Sequence, residues 1–344
     1  MAEIKTKHGL QETKGSFELR GIVNGVDRDS FYKEITTKSN KNMRMLNFGA
    51  EVEKDKSIYL ALNGMERDNV FFTNKDKDGK ITTEKVAWKN RKTFNKDGFK
   101  LLGVNLGLTK VINKEGNEVN DKQTLVEFDA CEYCKNNLND GVSVYARGQI
   151  EYSTYNDKHY TKFVPNQISL CRPINFEDDN FESLANFSQT IIFMGIERNE
   201  DGSFTVNAKI VTYSTIEDVE FFVPAFKAKF AKTLKKLKPY TAIKVFGSIV
   251  VETEVDTVVE DDDGDDWGDP NPMERVSNPT VRKLMIYGAD KESRDTELYS
   301  EEAVEAAIAK LNADKRADSD FGSSDSDDWG SVGDSSSDDD DVEW

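Results

Sequence analysis

Twice along this chain, short alternating segments lead into one helical segment and then into two long alternating ones, and few folds accommodate that order. The first passage starts at Phe17. FELRGIVNGV alternates and turns at Asn24-Gly25, and FYKEITT, MRMLNFGAEVE and SIYLALNG follow, each of strand length and bounded by turn residues. VFFTNKDKDGKITTEKVAW reads as an inserted hairpin turning at Asp78-Gly79. In TLVEFDACEYCKNNLND the apolar residues Leu125, Phe128, Cys131 and Leu138 recur nearer to a helical than to a strand period. VSVYARGQIEYSTY and HYTKFVPNQISL then close the passage as long strands joined at Asn156-Asp157.

From Phe187 the order repeats. TIIFMGIERN turns at Asp201-Gly202 into SFTVNAKIVTYS, and DVEFFVP follows. AFKAKFAKTLKKLKPY predicts an amphipathic helix stopped by Pro239, and TAIKVFGSIVVETE and RKLMIYGAD are the closing strands. YSEEAVEAAIAKLNADK predicts a terminal helix capped by Ser300 with an acidic first turn.

Three strands, a helix, then two strands is the order of an oligonucleotide/oligosaccharide-binding (OB-fold) barrel, in which the helix plugs one end. The expected class is therefore all-β with short helices: two OB-fold-like barrels in tandem. The internal likeness is faint by identity (GIVNG against GIERN, YARGQIEY against VFGSIVVE), and two unrelated β-sandwiches are the alternative. The expected units are a flexible N-terminus (1–16), a first barrel (17–172) with an inserted hairpin (about 70–120), a linker (173–186), a second barrel (187–317) and a disordered acidic tail (318–344). The second barrel carries an acidic loop at 252–279.

Charge explains the tail. The 344 residues carry a net charge of −18, yet residues 318–344 hold eleven acids and no base, and residues 260–269 hold seven more. Without those two blocks the net is −18 + 11 + 7 = 0. Residues 1–172 are mildly basic, with 29 Lys and Arg against 24 Asp and Glu. The segment after Arg316 is too rich in Asp, Ser and Gly to bury a core. No apolar run approaches membrane-spanning length, and MAEIKTKHGLQETKGS has no hydrophobic centre of the kind a secretory signal needs. Three cysteines in so long a chain imply a reducing compartment, and the expected location is cytoplasmic.

Holding a single nucleic-acid strand without reading its sequence takes cations along the phosphates and exposed rings for the bases. The richest mixture is Lys85, Trp88, Lys89, Arg91, Lys92, Phe94, Lys96, Phe99 and Lys100, opposed only by Asp97. A solvated hairpin with an aromatic or two in the core is the plainer reading. On the closing hairpin of the first barrel, Arg147, Tyr155 and Lys162 are the expected contacts among several tyrosines. Period 2 puts Tyr145 and Arg147 on one face and Tyr152 on the other, unless a bulge intervenes. In the basic helix Lys232, Lys235 and Lys236 share one face, opposite Phe226, Phe230, Leu234 and Leu237; solvated lysines on an ordinary amphipathic helix would look the same.

Cys131, Cys134, His159 and Cys171 make a weak zinc candidate, because the second paired half that such sites use is missing. No nucleotide-binding loop, nucleophile elbow or metalloprotease motif occurs, so no catalysis, no cofactor and no small-molecule substrate are expected.

The chain ends SSSDDDDVEW. An acidic run finished by an apolar residue resembles the tails of bacterial and bacteriophage single-stranded-DNA-binding proteins. The resemblance implies single-stranded DNA as ligand and replication or recombination proteins as partners, docking on Asp338, Asp339, Asp340, Asp341, Val342, Glu343 and Trp344. A terminal Trp without a preceding proline departs from the bacterial pattern, and two barrels in one chain look more like a phage protein. DGDDWGD and SDDWGS echo the terminal motif within the acid blocks. An acidic mimic of DNA and an RNA-binding regulator are the alternative functions.

Overall fold

The computed structural model describes residues 6–155, 158–253 and 280–320. Its strands are β1 (Gly15–Asn24), β2 (Tyr32–Thr36), β3 (Asn42–Glu53), β4 (Lys56–Met65), β5 (Asn69–Lys75), β6 (Ile81–Ala87), β7 (Lys100–Leu101), β8 (Val104–Gly107), β9 (Lys110–Ile112), β10 (Glu118–Asn120) and β11 (Gln123–Leu125). Helix α1 (Glu127–Asn137) precedes β12 (Ser143–Tyr155) and β13 (Lys158–Leu170). The second half holds β14 (Ala185–Arg198), β15 (Phe204–Val211), β16 (Ile216–Val223), α2 (Ala228–Leu234), β17 (Thr241–Thr253), β18 (Thr280–Asp295) and α3 (Glu301–Asp320).

Each half closes a five-stranded ring by the same pairings. In the first, β1 pairs with β3, β3 with β4, β13 with β12 and β12 with β1, all antiparallel; the ring shuts through one parallel pair, Phe163 on β13 with Leu60 on β4. In the second, β14, β15 and β16 run in order, β14 pairs with β17, and β17 with β18. It too shuts through one parallel pair, Phe222 with Met285. Helix α1 stands between the third and fourth ring strands of the first half and α2 between those of the second. Strict alternation drives the closure: along β1, Phe17, Leu19 and Val23 point into the core while Ser16 and Glu18 face out.

The barrels share a sheet. The N-terminal part of β1 pairs antiparallel with β14, setting Phe17 opposite Phe187, so a pseudo-two-fold axis passes between those two residues. Around that axis each barrel sends its closing hairpin across the other. Tyr152 on β12 donates its hydroxyl to Gln189 Oε1 of the second barrel at 3.3 Å, and Thr154 donates to the Glu217 carboxylate. From β18, Arg282 lays its guanidinium on the ring of Tyr59 on β4.

Four expectations need correction. The start of the chain is not flexible from Thr6 onward: Thr6 and His8 are buried, and His8 Nε2 meets Thr212 O at 2.9 Å. Tyr299, just before α3, donates to Gln11 O, so the first and last described segments cover the same end of the second barrel. The first barrel's insert is more than a hairpin. A three-stranded sheet of β6, β5 and β7 builds a separate small core from Val70, Phe72, Val86, Val126 and Phe128. Finally, Phe226 does not lie on the buried face of the basic helix. Pro224 is followed by a 3-10 turn over Ala225–Lys227, α2 starts only at Ala228, and Phe226 is 77% exposed. Ser300 does cap α3, its Oγ accepting from Ala303 N at 3.3 Å, but the helix runs to Asp320, past the expected start of the tail.

Candidate nucleic-acid interface

The stretch at 85–100 is largely engaged with the protein itself. Arg91 forks onto Asp129 of α1 at 2.7 and 2.9 Å and donates to Trp88 O at 3.1 Å. Its guanidinium also covers the Trp88 ring at 4.1 Å, and the ring's neighbour is Phe128, edge-on at 5.9 Å. Burial raises the Asp129 carboxyl's pKa, but hydrogen bonding and charge from Arg91, helped by Lys92, outweigh it and hold the group below the usual carboxylate range. Lys92 reaches Asp129 at 3.5 Å, Lys96 pairs with Glu84, and Phe94 packs on Phe72 at 4.5 Å. Arg91, Trp88 and Phe94, read from the sequence as strand contacts, are thus each engaged with neighbouring protein groups while remaining partly exposed. Lys85, Lys89 and Lys100 remain exposed without an ion pair among the described residues.

The other predicted positions divide differently. Lys162 on β13 is exposed, as are Lys232, Lys235 and Lys236, of which only Lys232 lies within α2. Tyr155 ends β12, and its side chain falls outside the described residues, as do the acidic loop from 254 to 279 with its 260–269 block and the docking residues 338–344. Tyr145 and Arg147 face out and Tyr152 faces in, as period 2 requires, because the bulge beside Arg147 places its extra residue, Asn166, on β13.

That bulge has a twin. Between Phe246 and Gly247 the pairing of β17 with β18 also slips, and the extra residue is Tyr287. Gly148 and Gly247 make both slips: a Cβ on Gly148 would stand 1.9 Å from Val164 O, and one on Gly247 would stand 1.8 Å from Met285 O. A bulge re-aims side chains. Here both bulges aim at the pseudo-two-fold axis, where Arg147 and Asn166 form one wall of a cleft of about 720 Å³ and Phe246 and Tyr287 the other. The floor is Ser16, Glu18, Asn186 and Ser188 from the paired β1 and β14.

The walls match in position and differ in chemistry. Arg147 is exposed and has no ion pair among the described residues; Glu18, its register partner, takes a hydrogen bond from Tyr145 at 3.1 Å. Burial first, then that bond, raise the Tyr145 pKa. Opposite, Phe246 is 47% exposed and lies across Gly288, where a Cβ would come within 2.6 Å of its ring. Tyr287 continues to Phe226, 6.1 Å away and tilted 36°. Phe226 leads in turn into Lys227, Lys229 and Lys232. Phe246 and Tyr287 thus share a wall, Phe226 adjoins Tyr287, and Arg147 faces them across the cleft.

The cysteines are elsewhere. Cys131 and Cys134 are buried in the first barrel's core, and Cys131 Sγ donates to Leu62 O at 3.3 Å. Burial pushes the Cys131 thiol up to about 12 and the Cys134 thiol up as well. His159 and Cys171 flank opposite ends of β13, about 40 Å apart at strand rise. The four do not meet, and no metal-ligating group of three or more is present among the described residues. None of the described helices is long and apolar enough to cross a membrane.

Residues 74–324, well over half the chain, match the model of the YorF family. The chain belongs to the YorF family. The YorF match begins inside β5 and runs past α3, so it takes in both bulges, the closing hairpin of the first barrel and the whole second barrel. No curated protein matches the chain. Among solved structures, the single-stranded DNA binding protein from Thermus aquaticus is similar at 9% identity and a TM-score of 0.40, covering 83% of this chain and 95% of that one. A deletion mutant of the same protein gives 10% identity and a TM-score of 0.38, over 85% and 98%.

Proposed function

We propose that this chain binds single-stranded DNA without regard to sequence, laying the strand over the cleft between its two barrels. The observation that carries the reading is the cleft itself. Two twinned bulges turn Arg147 to one side of the axis and Phe246 and Tyr287 to the other, and Phe226 extends the aromatic wall toward exposed lysines. Rings without base-specific hydrogen bonds take any base, and cations near them take phosphate. Small floor side chains, Ser16, Asn186 and Ser188, keep the approach open.

Coating a strand in this way would protect it during replication or recombination. The acidic C-terminus, with Asp338–Asp341 and Glu343 around Val342 and a final Trp344, would recruit the proteins that act there. A Trp anchor in a basic pocket is a sound basis for such docking. The test is a salt titration of the full chain against labelled dT, duplex and RNA oligomers. Salt-sensitive binding of dT in clear preference to duplex is expected. Equal binding of dT and RNA would make it a general single-strand binder, and absence of dT binding at low salt would contradict the proposal.

A further inference from the structure

Among the described residues three arginines lie on aromatic rings, and two of them are neutralised. Arg44, 3.9 Å from the Phe128 centroid, has Glu132 at 2.9 Å and Glu34 at 3.3 Å. Arg91, over Trp88, has Asp129. The third, Arg282, has its guanidinium carbon 4.7 Å from the Tyr59 centroid and no carboxylate partner among the described residues. Its Nε, like that of Arg44, is buried without a hydrogen-bond partner among the described residues. Burial lowers the pKa of the guanidinium, with only Tyr59 opposing it among the described residues, whereas the net effect of the surroundings of Arg44 is to raise its pKa. A largely buried cation with no anion among the described residues is costly to hold, and an apolar residue of similar size is commonly neutral or better in such a place.

The position is as telling as the charge. Arg282 pairs with Val251 across the β17–β18 hairpin, on the part of that hairpin that reaches over the first barrel. Tyr59 belongs to β4 of that first barrel, and it remains 45% exposed although the guanidinium lies on it. One barrel therefore supplies the cation and the other the ring, at a seam outside the bulge-lined cleft, whose lining includes neither residue. A planar fork of donors accepts a phosphodiester, and the exposed part of a tyrosine ring accepts a base.

We propose that Arg282 and Tyr59 form a second nucleotide subsite at the seam of the two barrels, with a backbone phosphate on the guanidinium and its base against the ring. The subsite rests on the reading of the chain as a single-strand binder, and it makes the strand touch both barrels at a point where they meet. A ligand there would also tie the β17–β18 hairpin to the first barrel.

The experiment compares full-length wild type with Arg282→Met, Tyr59→Leu and Phe246→Ala for melting and for binding of a labelled dT oligomer across a salt series. Arg282→Met is expected to melt no earlier than wild type, to bind about 5-fold more weakly or worse, and to lose about 0.7 from the slope of log affinity against log salt, the contribution of one single-strand phosphate. Tyr59→Leu, which keeps the charge, is expected to lose about 5- to 100-fold in affinity with the slope unchanged. Wild-type affinity and slope in both seam variants, with Phe246→Ala weakened, would overturn the subsite and leave the cleft standing. Should wild type itself fail to bind dT, subsite and cleft would both be contradicted.

Discussion

The stretch at 85–100 and the cleft between the barrels are opposites in composition and in availability. The stretch is crowded with cations and rings, yet Arg91 is forked onto Asp129, Lys96 is paired with Glu84, and Trp88 and Phe94 pack on a small core. The cleft has one arginine and two rings on its walls; Arg147 and Phe246 are exposed and Tyr287 is half-buried. Free groups, not frequent ones, make a surface that binds. An ion pair already made inside the protein must be broken before a phosphate can use it, and a ring whose face is covered has nothing to offer a base.

The two bulges are the part of the comparison that breaks most severely. Gly247→Ala would drive a Cβ into Met285 O, which the sheet can relieve only by losing the bulge or its pairing. A loss of about 3 kcal/mol is expected, read as a lower melting temperature, and Tyr287 would leave the cleft. Gly148→Ala should behave alike. A normal melt for both would show that the slips do not depend on these glycines.

Next in size is the insert's own bond. Asp129→Ala leaves Arg91 without its partner, and since the pair is largely buried, about 3 kcal/mol should be lost. Chemical denaturation would measure it, and dT affinity in the native range should stay at the wild-type value. The same pair predicts a pH effect. The folded carboxyl titrates below its unfolded value of about 3.9, so its stabilisation is complete above that pH and is lost as pH falls through the depressed folded value. Wild type should therefore lose stability below about pH 4 more steeply than Asp129→Asn. Parallel curves would mean that the pair contributes nothing.

Smallest is the polar wall. Arg147→Gln should flatten the salt slope by about 0.7 with little change in melting, because the side chain is exposed and has no ion pair among the described residues. An unaltered slope would leave the aromatic wall acting alone.

Much of this architecture is legible in the residues. Period-2 runs bounded by Asn24-Gly25, Asp78-Gly79 and Asp201-Gly202 mark the strands, and all three glycines adopt the positive φ that such turns need. Cys131 and Cys134 at helical spacing place α1 on the core. The candidate cleft was harder to read, for definite reasons. A bulge changes no local period, so nothing in KLMIYGAD singles out Tyr287. Phe226 fits the apolar stripe of α2 unless one knows that Pro224 delays the helix by a 3-10 turn. Arg91 meets Asp129 across 38 residues, and only the tertiary fold shows that the cation is already paired.

The most direct measurement sets one ring from each region side by side. Trp88→Ala and Phe246→Ala, both in the full chain, are compared for melting and for dT affinity at low salt. Trp88→Ala should cost about 2 kcal/mol of stability and bind dT as wild type does. Phe246→Ala, whose ring is half exposed, should melt as wild type does and lose about 1–3 kcal/mol of binding. The reverse pattern, a binding loss in Trp88→Ala and none in Phe246→Ala, would contradict the account and return the strand to the insert.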